Sequence, residues 1–309
     1  MSDSPDAMPG FRDMPGPDGR VEARWRWLGK PDGTGLYEVL CHNTDRGWRP
    51  ARPSGHFTVH LARSGGYLRR LNGRERFVDP TSALFLKPSD DLIVSHPLQC
   101  GDSYTVIEVD PEVLAGSAAG ERWLGGAGWE GRLRADLDLE HRALVADAVR
   151  GIDDFELTER THRLLGRLLS AGSDRPGDDL DRAVRRRPGT LAAHHRLTDR
   201  VREMVSGGGY ALGLTELARQ VHCSPHHLSR VFQRTTGQSL TAYRNQMRTR
   251  AVLTALAAGE VDTLRGLAAE YGFADQSHLT RTLRQQLGHS PTQLRRLLAT
   301  TAAAEPGRM

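Results

Sequence analysis

Between Leu214 and Leu298 the chain carries the same short pattern twice. His227-Leu228-Ser229-Arg230, followed by Gly237, Ser239 and Arg244, returns 51 positions later as His278-Leu279-Thr280-Arg281, followed by Gly288, Ser290 and Arg295. Leu217-Ala218 returns as Leu267-Ala268 at an offset of 50, so the second copy holds one extra residue between its anchors. Each copy reads as a short apolar helix, a tight turn and a second helix presenting polar side chains, the layout of a helix-turn-helix.

The local signals agree with that layout. A helix over 191–206 ends at Gly207-Gly208-Gly209, and Leu214–Gln220 opens unit one. His222-Cys223-Ser224 is its turn, with Ser224 as N-cap and Pro225 at the first helical position, where a missing N–H costs nothing. In the second helix Leu228, Val231 and Phe232 share one face, leaving His226, Ser229, Arg230 and Gln233 on the other. A helix over Leu240–Ala258, stopped by Gly259, spaces the units. Unit two opens at Leu264–Tyr271, turns through Gly272-Phe273-Ala274, and presents Gln276, Ser277, Thr280, Arg281 and Arg284 beside a buried Leu279 and Leu283.

Charge singles out the same region. The chain is +4 overall, yet residues 191–298 hold 14 Arg against 7 Asp plus Glu, or +7, leaving −3 elsewhere. A basic segment joined to a near-neutral partner is the footprint of a phosphate-binding domain. The chemistry of reading double-stranded DNA needs this residue mix. Arg donates two parallel hydrogen bonds to guanine, Gln matches adenine, and Ser and Thr adapt to either. We therefore assign base reading to His226, Ser229, Arg230, Gln276, Ser277, Thr280 and Arg281, and phosphate contacts to Gln233, Arg234 and Arg284. The Arg185–Arg187 run reads first as a solvated linker and second as a further phosphate contact.

The 309 residues divide into a tail over 1–20, a first domain over 21–172, a Pro/Gly/Asp-rich linker over 173–190, the double unit over 191–298 and a tail over 299–309. Within the first domain, seven short apolar runs between Leu36 and Val109 are separated by turn residues, among them Asn72-Gly73, a strong hairpin signal. They predict a small β-barrel or jelly roll. Over 111–172 the apolar spacing becomes helical, with Leu144, Val145, Ala148, Leu164, Leu165 and Leu168 positioned to pack on their own domain or on a second subunit. The fold class is α+β, with an N-terminal barrel, then helices, then an all-α C-terminal domain.

Cys41, His42, His56, His60, His96 and Cys100 supply borderline-soft ligands suited to zinc, which makes Cys41, His42, His56, His96 and Cys100 a candidate metal set. Against this stand two other readings: polar residues scattered at strand ends with reduced thiols packed as small hydrophobes, and a Cys41–Cys100 redox pair. No cofactor beyond that zinc is expected. The sequence has neither an apolar run of spanning length nor a basic, apolar leader, so no membrane partner and a cytoplasmic location are expected. No Ser-His-Asp set, phosphate-cradling Gly loop or His-Glu-x-x-His points to catalysis.

Residues 191–298 resemble the DNA-binding domain of the AraC/XylS family of bacterial transcription regulators. The resemblance rests on Leu217-Ala218, Ser224, His227-Leu228-Ser229-Arg230-Val231-Phe232, Gly237, Arg248-Thr249-Arg250-Ala251, Leu267-Ala268, Tyr271-Gly272-Phe273, Asp275-Gln276-Ser277-His278-Leu279-Thr280-Arg281, and Gly288 with Ser290-Pro291. It implies two helix-turn-helix subdomains joined by one helix and set into successive major-groove segments. It implies, less specifically, a cupin-like sensor barrel over 35–170 that takes a small-molecule effector and forms a homodimer. RNA polymerase is the partner if the protein activates. The sequence departs from the family at His222, where Gly is common in the turn, at Leu283, where an aromatic is common, and at Leu294, where Tyr is common. It also lacks the cupin His-x-His plus Glu, and Pro88-Ser89-Asp90-Asp91 lacks the downstream His. The alternative from another class is a metal-dependent cupin enzyme, or a redox or metal sensor, with a DNA-binding appendage.

Overall fold

The computed structural model describes residues 10–16, 19–52, 54–172, 188–259 and 263–300. In chain order the strands are β1 (Arg12–Pro15), β2 (Val21–Gly29), β3 (Thr34–Cys41), β4 (Arg49–Pro50), β5 (Phe57–Ser64), β6 (Tyr67–Leu71), β7 (Arg74–Val78), β8 (Ser82–Leu86), β9 (Leu92–Ser95), β10 (Asp102–Val109) and β11 (Trp129–Arg132). The helices are α1 (Pro111–Leu114), α2 (Ala118–Gly125), α3 (Ala135–Arg150), α4 (Asp154–Gly172), α5 (Pro188–Ser206), α6 (Leu214–Gln220), α7 (Pro225–Thr236), α8 (Leu240–Ala258), α9 (Leu264–Glu270), α10 (Gln276–Leu287) and α11 (Pro291–Leu298).

The strands form two antiparallel sheets, one ordered β1-β2-β3-β10-β5-β8-β11 and one ordered β4-β9-β6-β7. Alternation along each strand decides what faces what. On one face of the large sheet Leu36, Val59, Leu61, Phe85 and Ile107 pack against Trp123, Leu137, Leu144, Val145, Leu164, Leu165 and Leu168 of α2 to α4. On the other face Ala62, Leu84 and Leu86 meet Tyr67, Val78, Leu71 and Leu92 of or beside the small sheet. Asn72 and Gly73 both take positive φ (49° and 79°), so β6 and β7 are joined by the tight turn that the Asn-Gly pair predicts.

Three sequence expectations are corrected. The strands do not close into a barrel: β1, β11, β4 and β7 are free sheet edges. The tail read over 1–20 stops short, because Arg12–Met14 pair with Trp25–Ala23 of β2. The helical stretch over 111–172 is interrupted by β11, which pairs with β8. Of the two packing readings for the helical stretch, Leu144, Val145, Leu164, Leu165 and Leu168 follow the first and lie in the chain's own core. The linker's residues 173–187, with Arg185–Arg187, and residues 301–309 fall outside the described residues.

The C-terminal half packs around two cores, one per unit. Leu217, Leu228, Phe232, Tyr243 and Met247 fill the first; Leu253, Leu267, Phe273, Leu279, Leu283 and Leu294 fill the second. Leu283 and Leu294, where the resemblance expected aromatics, are fully buried and close that core.

The two halves are joined by buried ion pairs as well as apolar contact. Arg202 of α5 donates to Asp79 Oδ2 and Ser82 Oγ, each at 2.8 Å, and Tyr243 donates to Asp79 Oδ2 at 2.8 Å. Arg250 of α8 is 1% exposed and donates to the carbonyls of Pro80 (2.8 Å) and Leu133 (2.7 Å). Thr254, one turn on, accepts from Arg142 (3.0 Å) and donates to Arg63 O (3.2 Å). The connecting helix is thus more than a spacer; it is fastened to the strand domain along its length.

Candidate nucleic-acid interface

Both second helices are built the same way. Ser224 caps α7 by accepting from His227 N (3.1 Å), Pro225 follows at the first position, and Gly237 ends the helix at φ 73°. Asp275 caps α10 by accepting from His278 N (2.7 Å), and Gly288 ends it at φ 74°. Each cap satisfies a backbone donor at the end that points toward solvent, and the free N–H groups there favour anions.

The turns differ. Gly272 takes φ 73°, and His222, its counterpart, takes φ 55°, so the left-handed conformation that the position demands is kept without glycine. A side chain there costs about 1 kcal/mol or more. The extra residue of the second copy is also placed. One residue, Cys223, lies between His222 and the Ser224 cap, whereas Phe273 and Ala274 lie between Gly272 and the Asp275 cap. Phe273 is buried there under α10, against His278.

Of the residues assigned to base reading, His226, Arg230, Gln276, Ser277 and Arg281 are exposed and Ser229 and Thr280 half-buried. Thr280 donates its hydroxyl to Gln276 O (2.9 Å), which leaves that oxygen as an acceptor toward solvent. Gln233, Arg234 and Arg284, assigned to phosphate, are exposed. Among the described residues no carboxylate or carbonyl pairs with the guanidinium groups of Arg230, Arg234, Arg281 or Arg284. Other arginines of this half are engaged: Arg202 and Arg250 in the interior, Arg244 and Arg248 on Tyr210 O, Arg219 on Glu216. The overall basic excess therefore overstates the charge offered to phosphate; of the exposed arginines left open, Arg230, Arg234, Arg281 and Arg284 sit on the two second helices.

Two capped, solvent-facing helices with unpaired guanidinium groups, each set by a tight turn on a shorter helix, define a double helix-turn-helix. A family profile described as a helix-turn-helix domain matches residues 217–297. The HTH-type transcriptional regulator Rv1931c of Mycobacterium tuberculosis is 33% identical over 94 residues, 30% of this chain and 35% of that protein. The bifunctional transcriptional activator/DNA repair enzyme Ada of Escherichia coli is 40% identical over 82 residues, 26% of this chain and 23% of that protein. The match thus spans about a third or less of these relatives. Among solved structures, unsaturated fatty acid bound ToxT from Vibrio cholerae aligns over 88% of this chain and 96% of its own, at 13% identity and a TM-score of 0.34. Residues 217–297 form an AraC-type helix-turn-helix domain.

A cleft of about 690 Å³ opens where the halves meet, lined by Arg69, Arg76, Glu130, Arg132, His195 and Asp199 among others. Sequence reasoning did not find it, since its walls come from β6, β7, β11 and α5. Burial outweighs the attraction of Arg202 and raises the Asp199 carboxyl to about 6. Burial and Arg76 push His195 down to about 4.

The candidate metal residues are only partly brought together. Cys41 and His96 meet, with Asp102, which the sequence did not single out. His42 is exposed, with its backbone N–H on Glu22 O. His56 is exposed and faces Asp110 (3.5 Å) at the far end of β10, His60 stacks on Tyr104 (ring centroids 5.4 Å apart), and Cys100 is exposed. All three cysteines are free thiols. Among the described residues no helix is long and apolar enough to cross a membrane.

Proposed function

We propose that the chain is a sequence-specific DNA-binding transcription regulator in which α7 and α10 enter successive major-groove segments. The observation that carries this reading is the pairing of Arg230 and Arg281 at equivalent places on two capped helices, both solvent-facing and both without a partner among the described residues. The units present different residues, His226, Ser229 and Arg230 against Gln276, Ser277, Thr280 and Arg281. One chain then reads two unlike half-sites, and the binding site is asymmetric.

The strand domain is the receiving half in this reading. A small molecule in the cleft beside Arg76, Asp199 and Arg202 would touch both halves at once. Its binding would bear on α5 and α8, which carry the reading units. The test is binding of the full chain to DNA from upstream of its own coding sequence against scrambled DNA at moderate salt. A specific site is expected to bind at least about a thousand-fold more tightly than scrambled DNA. Equal affinity for both would refute the reading.

A further inference from the structure

Where β3, β9 and β10 converge at one end of the space between the sheets, three ligating side chains point at one another. Cys41 closes β3, Asp102 opens β10 directly opposite it in the strand register, and His96 follows β9 of the other sheet. The link from β9 to β10 turns back through Gln99 at φ 55° and Gly101 at φ 73°. A Cβ on Gly101 would stand 2.5 Å from Cys41 O, so the close approach of the strand ends depends on glycine. His96 is further fixed by its backbone N–H, which donates to Asp45 O (3.0 Å).

The distances bear on whether hydrogen bonds or a shared cation hold the three groups. Cys41 Sγ lies 3.5 Å and Asp102 Oδ2 3.4 Å from the same nitrogen, His96 Nε2, and the three ligand atoms lie within 4.8 Å of one another. If Nε2 carries a proton it can serve only one of the two groups, and if it accepts from the thiol it turns a lone pair toward Asp102; the Asp102 separation also exceeds the usual range for a nitrogen donor. Asp102 Oδ2 is buried, makes no hydrogen bond among the described residues, and belongs to a side chain only 3% exposed. For a tetrahedral zinc with usual bond lengths, the sulfur–nitrogen edge is about 3.6 Å and the nitrogen–oxygen edge about 3.4 Å. Those two edges match, and the sulfur and the carboxylate oxygen lie within 4.8 Å of each other. A thiol–imidazole–carboxylate relay would instead place sulfur and carboxylate on opposite ring nitrogens.

We propose that Cys41, His96 and Asp102 form a binding site for a borderline divalent transition cation of the zinc class, with a fourth position open to water or a small ligand. Thiolate, imidazole and carboxylate together favour zinc or cobalt over magnesium or calcium. The site lies close to the reading half: a Cβ on Gly207, just after α5, would stand 3.2 Å from Leu98 in the same β9–β10 link.

The test is titration of the purified, reduced full chain with cobalt(II) alone, followed by zinc(II), read by absorption. One cobalt per chain is expected, with a thiolate-to-cobalt charge-transfer band and the intense visible bands of four-coordination, both erased by equimolar zinc. The Cys100→Ser/Cys223→Ser chain keeps Cys41 as its one thiol, and must keep the charge-transfer band. Cys41→Ser must lose it with the far-ultraviolet circular dichroism unchanged. Asp102→Asn should bind cobalt at least about ten-fold more weakly, the minimum that loss of even an outer-sphere partner brings. Absence of the band from the Cys100→Ser/Cys223→Ser chain, or its persistence in Cys41→Ser, overturns the proposal. Neither result depends on DNA binding.

Discussion

Replacing Arg250 by methionine removes a buried guanidinium while keeping most of the stem that packs along α8. The head group donates to Pro80 O at 2.8 Å and Leu133 O at 2.7 Å and lies 3.5 Å from Asp138 Oδ2, all on the strand domain or its first long helix. Two hydrogen bonds from a charged donor are each worth about 1.5 to 3 kcal/mol, and orphaning one member of a buried pair costs about 3 to 5 kcal/mol. Arg142 still donates to Asp138 at 3.0 Å, which softens the loss on the acid side. We expect about 3 to 5 kcal/mol of destabilisation. Both halves hold this interface, so it should also uncouple them. All five tryptophans (Trp25, Trp27, Trp48, Trp123 and Trp129) lie in the strand domain, so fluorescence follows that half, while helical circular dichroism is weighted to the other. In urea the two signals should coincide for the parent chain and separate for Arg250→Met, with Arg250→Lys between them. Coincident transitions with less than about 1 kcal/mol of change would refute the claim that Arg250 fastens the halves.

Asp199 offers a pH test. Its carboxyl, raised by burial to about 6 against about 3.9 in an unfolded chain, binds a proton in the folded state that the unfolded chain has already released. Stability from this group is present below about pH 4 and lost as pH rises through about 6. Asp199→Asn should then stabilise by about 2 kcal/mol at about pH 7.5 and do nothing at about pH 3.5, read from urea midpoints; an equal gain at both pH values would contradict it. At His222, held at φ 55°, glycine should raise stability by up to about 1 kcal/mol and valine should lower it by about 1 to 2 kcal/mol, in thermal unfolding. The same sign for both would exclude backbone strain as the cause.

The reading half was legible because its information is local. Caps, the helix-stopping Gly237 and Gly288, and the apolar faces recur within 12-residue helices, and Leu214–Gln220 and Leu240–Ala258 fall where the sequence puts them. The strands flanking Asn72-Gly73 were legible for the same reason. Edge strands were not. Arg12-Asp13-Met14-Pro15 and Trp129-Glu130-Gly131-Arg132 carry charge, Pro or Gly, and become strands only because β2 and β8 offer them partners. Composition also hid that Arg202 and Arg250 turn inward, since Asp79 is 123 positions from the first and Pro80 is 170 from the second. Cys41 and His96 drew notice as ligand types. Asp102 did not, because what recruits it is its cross-strand register with Cys41, and no spacing along the chain encodes that.

The central claim is that Arg230 and Arg281 read bases while Arg284 holds phosphate. It is tested most directly by measuring affinity of the full chain for its best upstream site and for every single base-pair change within it. Arg281→Ala should cost about 1 to 3 kcal/mol on the parent site and erase the preference at one position only, and Arg230→Ala should do the same at a position in the other half-site. Arg284→Ala should weaken all sequences alike and reduce the salt dependence by about one counterion. Uniform weakening on every sequence by Arg281→Ala and Arg230→Ala, with all positional preferences intact, would contradict base reading by these helices.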